Sequence, residues 1–179
     1  QSQENQQSRV RGESKMESAN TSPKREVIKA FNDEKLYRHI VLDNKLEVVL
    51  IQNNTKTDES LAYCSLSIGV GSYSDPEDAQ GLAHLFEHML TQSSEKYPEL
   101  GEFDEFLSQH AGYANAHTEY EHTSYYFEVD DEHLDNALDR FSDFLVKPKF
   151  QGEAIENELQ VVHSEFELTV QKDMSRLDQ

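Results

Sequence analysis

In the stretch GLAHLFEHML, residues 81–90, two histidines and a glutamate interrupt an otherwise apolar run. His84 and His88 stand four residues apart, so on an α-helix their imidazoles project side by side from one face. Glu87 follows His84 by three residues and precedes His88 by one, near the edge of that face. This H-x-x-E-H order inverts the more familiar H-E-x-x-H, and both serve one chemical need. Two neutral imidazoles grip Zn²⁺ at about 2.0–2.1 Å, and a nearby carboxylate takes a proton from the water on the metal. The competing reading is a buried helix that carries a few polar residues. A catalytic zinc site has three protein ligands with water in the fourth position, so a third ligand is needed.

A later segment, EAIENELQVVHSEFELTV, offers candidates. Glu158 and Glu165 are seven residues apart, two helical turns, and lie almost in line. The apolar stripe of this helix is expected at Ile155, Leu159, Val162 and Phe166, with Glu158 at its rim. A carboxylate there is costly unless paired or bound to metal. The alternative is a solvated helix edge. His163 is a rival ligand, but it lies about 200° round the helix from Glu165 at ~100° per residue, so the two cannot share a face. His39, His110, His122 and His133 read as surface or strand histidines.

The elements that must position these residues follow from the pattern around them. YRHIVL and LEVVLIQ flank DNK and predict a hairpin with an Asp-Asn turn. LAYCSLSIGVG predicts a third strand. AQGLAHLFEHML has helical spacing, with Leu82, Leu85, Phe86, Met89 and Leu90 expected as one broad buried stripe. ELGEFDEFLSQH predicts a second helix, and GYANAHTE and HTSYYFEVD two further strands. EHLDNALDRFSDFLV predicts a third helix stopped by Pro148, before the helix that carries Glu158 and Glu165. Strands, a helix, strands and then helices imply an α+β fold, an antiparallel sheet with helices packed on it.

Charge narrows the partners. Residues 36–179 hold nine basic and 29 acidic side chains, within a formal net charge of −19 for the chain. Such a surface repels phosphate backbones, so nucleic acid is not an expected partner, whereas basic peptides are attracted. No apolar run approaches the ~20 residues that span a bilayer, so no membrane partner is expected. The single Cys64 excludes an internal disulfide and a cysteine-based zinc site, and fits a cytoplasmic location. Residues 1–35 form the expected leader, and their first 25 are rich in Gln, Ser, Glu and Asn and too poor in apolar residues to order. Residues 36–179 then form the expected zinc-binding domain, incomplete at its C-terminal end because the chain stops within a helical pattern.

Taken together, GLAHLFEHML, EKYP, FLSQHAGYANAHTEYEHTSYYFEV, ALDRFSDFLVKPKF and ENELQVVHSEFE resemble the insulinase-type zinc metallopeptidases, in order and with matching spacing from about Leu36 to Gln179. The mitochondrial processing peptidases share H-x-x-E-H but resemble this chain less around EKYP and EHTSYYF. The resemblance implies a metallopeptidase α/β sandwich and one Zn²⁺ per chain, held by His84, His88 and Glu165. It implies Glu87 as general base and Glu158 as a supporting glutamate that orients a ligand. It implies that peptide substrates add as a strand beside NAHT, their backbone bonding Asn115 and Ala116, with His117 a third substrate-binding residue. His117 departs from the family pattern, which leaves the side-chain preference beside the scissile bond open. The family's distal half, which closes the catalytic chamber, is not in this sequence. The expected activity is zinc-dependent endopeptidase hydrolysis of peptides, weak or absent in this portion alone. The alternative is a peptide-binding or regulatory portion that holds zinc and does not turn over.

Overall fold

A computed structural model of the chain describes residues 27–53 and 61–171. Most of the expected leader and the last residues of the expected C-terminal helix lie outside the described residues. Those described fall into two compact units, one within Gln1–Thr55 and one within Lys56–Gln179. Among the described residues, no helix is long and apolar enough to cross a membrane.

The first unit is an antiparallel hairpin of β1 (Leu36–Val41) and β2 (Glu47–Gln52), with Leu36 opposite Gln52 and Val41 opposite Glu47. Its turn is made as expected around Asp43 and Asn44, but the left-handed residue is Lys45, at φ 72°. The Leu42 and Lys45 amides donate to the Leu46 and Leu42 carbonyls, and Asn44 Oδ1 accepts from the Leu46 amide at 3.1 Å. The side chain of Asn44 thus organises the turn without itself taking the positive φ.

The second unit is built on an antiparallel sheet of β3 (Leu61–Ile68), β4 (Tyr113–Thr118) and β5 (Thr123–Asp130), in the order β3-β5-β4. Period-2 alternation puts Tyr125, Phe127 and Val129 of β5 on one face, and the register aligns Leu66 and Ala116 with Tyr125 and Cys64 and Ala114 with Phe127. That face meets α2 (Glu102–Gln109) and α3 (Leu134–Val146), which bury Phe103, Leu107, Ala137, Phe141 and Phe144 against it. The α+β architecture is the one expected. The remaining helices are α1 (Leu82–Leu90), lying against β4, and α4 (Gly152–Val170), lying along α1.

Two expected stripes are corrected. In α1, Met89 and Leu90 are buried as anticipated, but Leu82 and Phe86 are each 46% exposed. Glu87, expected at a face's edge, is only 8% exposed. In α4, Leu159 and Phe166 are about half exposed, and the side turned to α1 carries Glu158 and Glu165 instead. Both helices direct their polar side chains at each other, so apolar periodicity points to the wrong face.

Candidate metal centre

Three local devices hold α1. At its N-terminus the Asp75 carboxylate accepts hydrogen bonds from the Gly81 and Ala83 amides at 2.7 and 2.8 Å. It supplies the side-chain cap that Gly81, the residue just before the helix at φ 90°, cannot. Gly71 lets the chain before Asp75 pass close to the β4–β5 turn, since a Cβ there would lie 2.3 Å from the Glu119 carbonyl oxygen. At the other end, Ser93 and Ser94 are fully buried, and Ser94 pairs with Pro148 in a bridge to the α3–α4 connection. That bridge brings the start of α4 beside the end of α1. His88 then meets Glu158 and His84 meets Glu165, so the two helices run antiparallel.

The Nε2 atoms of His84 and His88 are 3.2 Å apart, and Glu165 Oε2 lies 3.5 Å from the first and 3.6 Å from the second. Three donors at about 2.0–2.1 Å from one tetrahedral ion stand roughly 3.4 Å from each other. The triangle therefore fits a zinc-sized ion, and nitrogen and carboxylate donors suit it chemically. His84, Glu87 and His88 also offer one ligand atom each within 4.8 Å of one another, a group that could hold a metal ion. The carboxylate of Glu87 is turned to β4, where the Thr118 hydroxyl donates to its Oε2 at 2.5 Å. Glu158 Oε2 is 3.0 Å from His88 Nδ1, the nitrogen directed away from the triangle.

His84, Glu87, His88 and Glu165 line a cavity of about 380 Å³ with Thr91, Asp104, Ala116 and Tyr125 among its walls. The hollow exists because edge strand β4 places Ala114 and Ala116 inward where its neighbour β5 has Phe127 and Tyr125. Burial pushes the Tyr125 phenol up to about 12, and the nearby Glu87 carboxylate adds to the shift. Desolvation likewise raises the Asp104 carboxyl.

Asn115 and Ala116 also border the cavity, and His117 shares the outer face of β4 with Asn115. The Ala116 amide donates to Asn115 Oδ1 at 2.8 Å. His163 stands apart, exposed and 3.9 Å from Glu167. His39 pairs with Glu47, and His110 stacks on His133 with ring centroids 3.7 Å apart. Sequence reasoning missed Asp75, Thr118 and also Gln92, whose side-chain amide donates to Glu158. Only Asp75, an acidic residue shortly before a helix, carried a readable signal.

The insulinase (peptidase family M16) family model matches residues 48–178. The chain is 44% identical over 153 residues to the insulin-degrading enzyme of Homo sapiens, covering 86% of this chain and 15% of that protein. It is 48% identical over 118 residues to a nardilysin-like protein of Arabidopsis thaliana, covering 66% of this chain and 12% of that protein. The crystal structure of pitrilysin superposes with a TM-score of 0.74 at 36% identity, over 82% of this chain and 15% of that one. The chain thus spans about 15% or less of the length of these relatives. From the sequence motifs, the fold and these similarities together, the chain belongs to the insulinase family, peptidase family M16.

Proposed function

We propose that the protein is a zinc-dependent metalloendopeptidase whose Zn²⁺ is held by His84, His88 and Glu165. The observation that carries this is the 3.2–3.6 Å donor triangle with a separate carboxylate, Glu87, beside it in the same cavity. A bound Zn²⁺ would supply a Lewis acid for the scissile carbonyl and lower the pKa of water. Glu87 acts as general base. Its Oε2 accepts the Thr118 hydrogen bond, so Oε1 is the atom that takes a proton from the attacking water and returns it to the leaving amine. Glu158 accepts from His88 Nδ1, which leaves the Nε2 lone pair for the metal. A peptide substrate adds along the edge strand β4 as a further strand. To meet it, the Asn115 side chain must release the Ala116 amide. His117, beside them, contacts the neighbouring substrate side chain. A reducing, cytosolic compartment accords with the lone Cys64, whose thiol burial pushes up and so makes less reactive.

The test is hydrolysis of a fluorogenic peptide by the full-length protein, with zinc measured on the same samples. Chelation should abolish turnover. Glu87→Gln should keep the metal and lose roughly 10²–10⁴-fold in rate, because a carboxamide cannot serve as the base. Wild-type turnover by Glu87→Gln would refute the mechanism.

A further inference from the structure

Glu158 accepts a second hydrogen bond, from a residue outside the ligand set. We propose that Gln92 is a positioning residue for the metal centre: its side-chain amide clamps Glu158, and Glu158 in turn fixes the ring of His88. The proposal rests on the reading of His84, His88 and Glu165 as ligands.

Gln92 lies just past the end of α1, and its Nε2 donates to Glu158 Oε1 at 3.0 Å. The other carboxylate oxygen, Oε2, is 3.0 Å from His88 Nδ1. The two oxygens are thus divided between two donors that both belong to the α1 segment, while Glu158 itself comes from α4. The amide orientation follows from charge, because its carbonyl oxygen would repel the carboxylate. Gln92 is anchored at its backbone, where its amide donates to Met89 and its carbonyl accepts from Gly101, both at 3.3 Å. The side chains of His88 and Glu158 are 21% and 18% exposed, so water competes weakly for these bonds.

The consequence concerns one proton. A glutamate carboxylate turns easily about its last torsion, whose energy well is broad. Held by Gln92 at one oxygen, it presents the other to His88 and keeps the ring proton on Nδ1. Released, it would let the ring turn or carry its proton on Nε2, the atom that must ligate.

The experiment uses the purified protein with Zn²⁺ alone as probe. Affinity is measured by competition with a chromophoric chelator for the wild type, Gln92→Met, Glu158→Gln, the double variant and His88→Ala. Methionine keeps the reach of glutamine and removes the donor. Gln92→Met should weaken zinc about tenfold, the lower end for groups that orient metal ligands. In the Glu158→Gln background the same change should have almost no further effect. In metal-free protein, ¹⁵N NMR should report His88 as the Nδ1–H tautomer in the wild type and as a mixture in Gln92→Met. Wild-type affinity with an unchanged His88 signal in Gln92→Met overturns the proposal. So does an undiminished loss in the Glu158→Gln background, which would mean that Gln92 acts by packing. Unaltered zinc affinity in His88→Ala would sink the ligand reading itself and the proposal with it.

Discussion

At the scale of single residues, the centre combines groups with opposite demands. Glu87 is 8% exposed, yet its side chain lines the cavity, with one carboxylate oxygen accepting from the Thr118 hydroxyl. Tyr125, a neighbour in the same wall, is held protonated first by its burial and then by the Glu87 charge. Its pKa of about 12 in the fold lies above the ordinary tyrosine value of about 10. The folded state therefore holds the phenolic proton more tightly than the unfolded chain does. That contribution to stability is complete below pH 10 and is lost as pH rises through about 12. Urea unfolding from pH 9 to 12 should show Tyr125→Phe less sensitive to alkali than the wild type, by on the order of 2 kcal/mol across the window. Parallel profiles for the two proteins would show that Tyr125 is not held protonated.

At the scale of elements, what matters is how firmly α1 is aimed. Its first turn depends on a carboxylate from outside the helix, so Asp75→Ala leaves the Gly81 and Ala83 amides without that acceptor. A loss of about 1 kcal/mol in stability is expected, as for other lost caps, together with weaker zinc binding as the first turn frays. Thermal melts with and without Zn²⁺ check both parts. Unchanged melting would mean that the cap is dispensable. Gly71→Ala tests the approach beneath. Its new Cβ would meet the Glu119 carbonyl oxygen at 2.3 Å and the His122 amide nitrogen at 2.6 Å. Backbone cannot yield as a side-chain tip does, so a cost of about 1–3 kcal/mol is expected by denaturant titration. A neutral Gly71→Ala would show that the turn shifts freely.

At the scale of the whole molecule, a metal centre is only part of a peptidase. Rate enhancement also needs donors for the developing oxyanion and walls that orient the peptide. The human insulin-degrading enzyme and pitrilysin are several times longer than this chain, which covers about 15% of each. Residues 1–179 alone should therefore bind zinc and hydrolyse a fluorogenic peptide poorly. Adding the remaining part of a full-length relative, expressed separately, should raise turnover. Robust hydrolysis by residues 1–179 alone, lost on chelation and in Glu87→Gln, would show that this segment suffices. The excess of acidic residues over 36–179 adds a kinetic expectation: encounter with basic peptides should slow as salt is raised.

The sequence by itself determined the family and most of the elements. The four-residue spacing of His84 and His88 needs only a helix to set their imidazoles side by side, and the alternation in HTSYYFEVD is enough to make β5 the core strand. Helical and strand periods are local properties, so they survive in a single chain without its contacts. Which face of a helix turns inward is not local. Leu82, Phe86, Leu159 and Phe166 read as core and are exposed, because α1 and α4 face each other through His84, His88, Glu158 and Glu165. Polar side chains that two helices turn toward each other are marked as surface by hydrophobic periodicity. Only the tertiary structure set Glu165 within 3.6 Å of two imidazoles 77 and 81 residues earlier, or joined Gln92 to Glu158 across helices. Those distances depend on the Ser94–Pro148 bridge and the antiparallel packing of α1 and α4, contacts far apart in sequence that no local pattern encodes.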